Sequence, residues 1–355
     1  MSLGKNIRIK DIAKLAGVSA GTVDRVLHNR GRVSEEALKK ITAVMEQIDY
    51  KPNLIARTLG SNKKYAISVI VPDPAADPYW AQAHEGIRIA QSEWNQYGVN
   101  VNVELFDLRD KESLQKTAAA AMRSQPDGIV IAPIFYHESL PLFEEFKQSS
   151  VPFVLFNTSI PGITPMSFIG QDLYESGRVG AELMVIGQPD AGKYAVLHID
   201  EDIHDSVHLS QKEKGFRDYF LQKGRKNSEI LDFNLDPEAG NFRQQLTDLF
   251  RDPELHGIFI STSKGTAVAA ALLKEVGKRA IRVIGYDMLE DNLKYLREGY
   301  IDFLINQNPK RQVNLGISHL INHLMFKRTP PERELFPLEV ITPENLNSYL
   351  GSGIH

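Results

Sequence analysis

Apolar residues follow two regimes along the chain. Over the first fifty positions they recur at helical spacing: Ile9, Ile12, Ala13 and Ala16, then Val23, Val26 and Leu27, then Leu38, Ile41, Val44 and Met45. Spacings of three and four put such residues on one stripe of a helix, so three short helices are expected. Gly17 breaks the first run. Glycine takes positive φ cheaply, Val18 can plug the angle between two helices, and Ser19 can cap the second. Ser34 is the expected cap of the third helix, Glu35 and Glu36 complement its positive end, and Pro52 limits its extension. Two short helices joined by such a turn read as a helix-turn-helix.

The second regime begins after GSNKK (60–64), a polar linker. Near-continuous apolar runs now alternate with amphipathic stretches. YAISVIVPD, VNVELFDL, DGIVIAP, PFVLFNT and SFIGQD form one set, and KYAVLHID, SEILDFNL, GIFIST, RVIGYD and DFLINQNP a second. AQAHEGIRIAQSEWNQYG and KESLQKTAAAAMRSQ, lying between strands, read as helices. The expected class is therefore α/β: two doubly wound lobes with parallel sheets covered on both faces, preceded by a small all-α unit. Small ligands should bind where the strand ends of the two lobes face each other. The expected boundaries are 1–52 for the helical unit, 53–64 for a hinge helix and linker, and 65–350 for the body. Within it, one lobe takes about 65–173 and 308–336, the other about 174–307 and 337–350.

Composition narrows the class. With 355 residues, 42% hydrophobic and 24% charged, the chain resembles ordinary soluble proteins and has room for two or three domains. It has no run of about 18 apolar residues, so no membrane span is expected. Lys5, Arg8 and Lys10 interrupt any apolar signal core, and a cytoplasmic location is the simplest reading. With no cysteine, disulfides and thiolate metal sites are ruled out. Charge is uneven: residues 1–63 hold 12 Lys/Arg and 6 Asp/Glu, a local +6, so the overall −4 leaves −10 on the remainder. A basic head on an acidic body points to a polyanion partner for the head alone.

The second helix would then read base edges in a major groove. Ala20 and Gly21 permit close backbone approach, Arg25 can fork onto guanine, His28 and Asn29 can reach bases or phosphates, and Arg30 and Arg32 suit phosphates. A three-helix unit for protein contacts is the competing interpretation. IKDIAKLAGVSAGTVDRVLHN, GRVSEEALKKITAVMEQIDYKPNLIARTL and VIVPDP together resemble the lactose-repressor (LacI/GalR) family of bacterial transcription regulators. The likeness is dense over 7–72 and continues in the strand pattern of the body, which is similar to type I periplasmic binding proteins. It implies a homodimer on a near-palindromic operator, with a tether (Tyr50, Pro52, Asn53, Ala56, Leu59) that folds on DNA and wedges Leu59 into the minor groove. The implied DNA-facing set is Ser19, Ala20, Gly21, Thr22, Asp24, Arg25, His28, Asn29, Arg32, Asn53, Ala56 and Leu59. The sequence departs from the family at Asp24, where a serine is usual, at Ala20-Gly21, at Gly60 after the wedge, and at Arg8 in the first cap position. Asp24 can brace Arg25, accept from a cytosine amino group, or face solvent.

Candidate effector residues sit at strand ends. PDPAADPYW supplies Asp77, Tyr79 and Trp80, a carboxylate beside aromatic rings that suits a sugar's hydroxyls and C–H faces. Asn157, Asp172, Thr262, Asp287 and Gln307 end other strands. The resemblance places Asp287 and Gln307 among pocket residues that bind sugar hydroxyls, and puts Lys212 where an arginine is usual, without its planar fork. Turn-capping is the alternative for each. HIDEDIHDSVH, with His198, His204 and His208 among acids, reads as effector contact, solvated loop or metal site, while HLINH reads as a helix face. Paired carboxylates would also serve a glycosidase, but GxxxxGK[ST] and HExxH are missing, and the one GxSxG match, GVSAG at 17–21, falls in the turn between the first two expected helices rather than after a strand, where a nucleophile elbow would lie. The expected function is a sugar-responsive DNA-binding transcriptional regulator, with repression the first reading, no enzymatic activity and no cofactor. A periplasmic-type sugar carrier and a sugar-processing enzyme with a DNA-binding head are the alternatives.

Overall fold

The computed structural model describes residues 9–27, 33–47, 63–189, 191–201, 203, 206–225 and 227–351. The chain divides into two compact units, Met1–Lys63 and Lys64–His355.

In the head, α1 (Ile9–Ala16), α2 (Ala20–Leu27) and α3 (Glu35–Gln47) enclose Ile12, Ala13, Ala16, Val23 and Ile41. Gly17 adopts φ +64°, and the Val18 amide donates to Ala13 O at 3.0 Å. This closes α1 by the left-handed C-terminal turn that glycine makes cheaply. Ser19 Oγ accepts from the Thr22 amide at 3.1 Å and Ser34 Oγ from the Ala37 amide at 3.3 Å, so both expected caps form. Leu38 needs correcting: it is exposed, and the inner stripe of α3 runs through Ile41, Val44 and Met45 with Ala37 half-buried. Only one narrow stripe of α3 meets α1 and α2, and a step of one residue turns a side chain about 100° off it. His28, Asn29, Arg30, Arg32 and the tether residues Tyr50, Pro52, Asn53, Ala56 and Leu59 lie outside the described residues.

All ten expected strands form in the body. The first sheet holds β1 (Tyr65–Pro72), β2 (Val99–Phe106), β3 (Gly128–Ile131), β4 (Phe153–Asn157) and β5 (Ser167–Gly170), linked by α4 (Pro78–Asn95), α5 (Lys111–Arg123) and α6 (Tyr136–Gln148). After α7 (Leu173–Val185), the second holds β6 (Lys193–Ile199), β7 (Glu229–Leu235), β8 (Leu255–Ile260), β9 (Arg282–Tyr286) and β10 (Phe303–Asn306). Its connecting helices are α8 (Val207–Gln222), α9 (Phe242–Arg251), α10 (Ser263–Val276) and α11 (Glu290–Glu298). The chain then returns through α12 (Pro309–Phe326), adds β11 (Arg333–Leu335) to the first sheet and β12 (Glu339–Ile341) to the second, and ends in α13 (Leu346–Gly351).

The sheet orders are β11-β5-β4-β3-β1-β2 and β12-β10-β9-β8-β6-β7. Every pairing is parallel except β10 with β12. Both sheets thus repeat one winding, which reverses between β1 and β3 and again between β6 and β8. In β1, Ile67, Val69, Ile70 and Val71 are all fully buried, as a central strand covered on both faces requires. Three segments cross between the lobes, and Gln171 ties them together: its Nε2 donates to Asn306 O and to Pro337 O, each at 2.8 Å.

Two glycines set how closely the second lobe's helices pack. A Cβ on Gly177 of α7 would stand 1.9 Å from Lys212 O, and one on Gly215 of α8 would stand 1.9 Å from Tyr174 O. Only the missing side chains allow this approach, which also fixes the position of Lys212.

Candidate functional site

At the reversal points the carboxyl ends of neighbouring strands splay, and in open α/β sheets ligands bind in that crevice. Here the crevices of the two lobes meet in a cleft with an inner chamber and an outer vestibule. Asp77, Tyr79, Trp80, Asn157, Lys212, Thr262 and Gln307 line the chamber. Seven of the nine residues expected from the sequence therefore converge there, although 230 positions separate the first from the last.

Each is held by its element. Asp77 caps α4, accepting from the Tyr79 amide at 2.8 Å, and Pro78 opens the helix without wasting an amide. Tyr79 and Trp80 are buried edge-to-face with ring centres 5.0 Å apart, and Trp80 meets Phe156 in the same way. Asn157, at φ +69°, donates from its side chain to the Tyr79 hydroxyl and from its amide to Gln312 Oε1 at 3.0 Å. Gln312 Nε2 donates onward to Gln307 O at 2.7 Å. Thr262 Oγ1 donates to Ile199 O at 3.0 Å.

Asp287 and Asp172 stand elsewhere. Asp287 is fully buried behind the chamber, with its carboxylate accepting from the Gln307 amide and Nε2, each at 2.7 Å, and from the Ser263 hydroxyl. It braces Gln307 in this structure. Asp172 caps α7 by accepting from the Glu175 amide at 3.0 Å and does not line the cleft.

The chamber also contains Glu201, His208, Ser261 and Ser263, which the strand-end pattern did not single out. The HIDEDIHDSVH run was the available signal, because His208 and Lys212 share one helix face at a spacing of four. Among the described residues no three acidic, histidine or cysteine side chains group as metal ligands would. His198 is buried between Ser261 Oγ at 2.7 Å and Glu213 Oε2 at 2.8 Å, while His319 pairs with Glu334 on the helix face.

Electrostatics set the chamber's chemistry. Burial raises Asp77 to about 6, helped by Glu201 and Asp200 and opposed by the Tyr79 amide and Lys264. Burial also raises Asp287, against the Ser263, Gln307 and Lys212 contacts. Lys212 is lowered to about 8 by burial, although Asp287 and Glu201 favour its charge. Its Nζ donates to Ser261 O at 2.9 Å and lies 3.6 Å from the centre of the Tyr286 ring. At the vestibule, Lys264 bonds Asp200 at 2.7 Å and reaches Ala76 O of the opposite lobe at 3.4 Å. An acceptor-rich chamber with aromatic rings and one enclosed ammonium suits a small polar ligand with several donors.

In the head, α2 presents Gly21 and Arg25 outward, with Ser19 exposed at its start and Ala20, Thr22 and Asp24 half-buried.

Comparison with known proteins finds two matching sequence families: "Bacterial regulatory proteins, lacI family" over residues 8–53, and "Periplasmic binding protein domain" over 67–328. The chain is 23% identical over 348 residues to the sucrose operon repressor of Streptococcus mutans serotype c, covering 96% of this chain and 99% of that protein. It is 28% identical to the HTH-type transcriptional regulator MalR of Streptococcus pneumoniae, over 89% of this chain and 93% of that one. Among solved structures, a protein from Bacteroides fragilis assigned to the LacI transcriptional regulators superposes with a TM-score of 0.76 at 26% identity, over 81% of this chain and 100% of its own. A solute-binding protein of Agrobacterium vitis bound with α-D-tagatopyranose shares the fold, with a TM-score of 0.69 at 21% identity over 80% and 96%.

Proposed function

Because the chain belongs to the lacI family of bacterial regulatory proteins, with a periplasmic binding protein domain as its body, we propose that it is a DNA-binding transcriptional regulator controlled by a small sugar. Repression is the mode its relatives' names support, sucrose and ribose operon repressors among them. The observation that carries the reading is the union in one chain of a helix-turn-helix head and a two-lobed cleft lined by polar and aromatic side chains. The DNA-facing residues are Ser19, Ala20, Gly21, Thr22, Asp24 and Arg25 of the turn and α2, together with His28, Asn29, Arg32, Asn53, Ala56 and Leu59. Asp77, Tyr79, Trp80, Asn157, Lys212, Thr262 and Gln307 bind the effector, and Asp287 supports them. The protein works in the cytoplasm as a homodimer on a near-palindromic operator, since one head offers too few base contacts for useful specificity. Effector that binds one lobe arrangement better than another shifts operator affinity by that difference. The reading involves no catalytic step and no cofactor.

A gel-shift titration on selected operator DNA at two salt concentrations, with and without candidate sugars, tests this. Steep loss of binding with salt and a sugar-dependent change in affinity are expected. Sugar binding without any DNA binding would favour a carrier, and turnover of a bound sugar would favour an enzyme.

A further inference from the structure

Helix α8 begins at the cleft, and its first two turns carry His208 and Lys212 on one face. Both are buried and both line the inner chamber. The two imidazole nitrogens of His208 have different surroundings. Nε2 lies 2.8 Å from Oε2 of Glu201, which lines the same chamber. Nδ1 is enclosed by protein but has no hydrogen-bond partner. Native folds rarely leave a buried polar atom unpaired, because its lost hydration is not repaid unless something else completes it.

Glu201 fixes how the ring is oriented. Burial opposes ionisation of Glu201, but His208, Lys212 and His198 outweigh it and hold the carboxyl below its ordinary range. A carboxylate only accepts, so the shared hydrogen belongs to Nε2. Nδ1 is then the ring atom left to meet a ligand.

We infer that His208, oriented by Glu201, is a specificity-determining residue of the cleft whose Nδ1 forms a hydrogen bond with a hydroxyl of an uncharged polyol, a group that can both donate and accept. This rests on the effector reading above and deepens it. The chamber leaves only about 30 Å³ for the centres of water molecules, so a ligand enters as the lobes part. The rest of the chamber agrees with an uncharged ligand. Asp77 and Glu201 line it and Asp287 stands behind it, against Lys212 as the lining ammonium. A phosphoryl group placed there would meet carboxyl groups with too little cationic compensation for its lost hydration.

The test uses the full chain and isothermal titration calorimetry. D-ribose, D-arabinose, D-galactose, D-glucose, maltose and sucrose are titrated, together with D-ribose 5-phosphate and D-glucose 6-phosphate, into wild type, His208→Asn and His208→Gln. Asparagine places an amide oxygen near the position of Nδ1, whereas glutamine reaches toward Nε2 and leaves the Nδ1 position empty. With equal melting temperatures, His208→Gln should bind the preferred sugar roughly tenfold or more weakly, and His208→Asn should recover most of that loss. One monodeoxy form of that sugar should bind wild type and His208→Gln equally, identifying the hydroxyl that is read. Unchanged affinity in both variants overturns the inference while leaving the effector reading intact. Equal loss in both, for every monodeoxy form, overturns it in favour of a purely structural histidine. Tighter binding of a sugar phosphate overturns the uncharged ligand. If wild type binds none of these sugars, the effector reading falls first and this inference with it.

Discussion

Asn157, Asp200, Asp287 and Asn308 follow or end strands with positive φ, between +56° and +69°, although none is glycine. Asn and Asp tolerate this region best, and such strain persists where the surroundings over-determine it. At Asn157 and Asp287 it aims a polar side chain into the network around the chamber. Asp77 is strained electrostatically, and this has a measurable sign. Its folded value of about 6 exceeds the ordinary 3.8, so between about pH 4 and 6 the native state binds more protons than the unfolded chain. Stability falls as pH rises through that window. Asp77→Asn keeps the cap and removes the charge. Because Asp77 is partly exposed, solvent screens the effect, and the variant should be more stable than wild type by about 1–2 kcal/mol above pH 6 and equal to it below pH 4. Urea unfolding at pH 4, 6 and 8 measures this, and a pH-independent difference would place the Asp77 charge in solvent. In the head, Arg25→Ala should lose roughly 1–3 kcal/mol at the operator and relax preference at one base position. Equal weakening on random DNA would instead put Arg25 on phosphate. Asp24→Asn should raise non-specific affinity and lower the operator-to-random ratio if Asp24 braces Arg25, which a binding-site selection reads directly.

At the scale of elements, the crossing of α7 and α8 determines where Lys212 sits. Backbone carbonyl and glycine face each other in both directions, and neither can rotate away as a side chain could. Gly177→Ala should therefore push the helices apart and cost about 1–3 kcal/mol in body stability. It should also weaken sugar binding, since the displaced residue is Lys212. Gly240→Ala is the control, because a Cβ there meets nothing within 4 Å. Calorimetric melting together with sugar titration separates the two variants. Much of this level was legible in advance. The turn at Gly17-Val18-Ser19 and the ten strands follow from local spacing and local side-chain chemistry. β11 and β12, three residues each, did not, since so short a run shows no period.

For the whole molecule, the chain of contacts from Tyr79 through Asn157, Gln312, Gln307 and Asp287 to Ser263 joins the two lobes beside their crossing segments. A ligand in the chamber touches several members of this chain, and the head is a separate compact unit. Asp287→Ala should therefore abolish the sugar's influence on operator binding while leaving effector-free binding within about threefold of wild type. Gel shifts with and without sugar, checked by circular dichroism for folding, measure both. A folded variant that no longer binds DNA would make Asp287 part of the transmission route itself.

The sequence by itself determined the order and kind of the helices of the head and of strands β1 to β10, because 3.6-residue periods, continuous apolar runs and cap residues act over a few neighbouring positions. It also determined the basic head on an acidic body, since charge is a property of the list. Tertiary structure alone decided which strand-end residues share a chamber. Asp77 and Asp172 look alike as acidic caps before helices, but only the crevice at the β1/β3 reversal turns one of them toward the chamber. Leu38 looked like core, yet one residue's rotation on α3 leaves it outside. Glu201 and His208 became partners only because the loop after β6 and the start of α8 meet at the cleft. Such convergence depends on long-range packing, which no local period encodes.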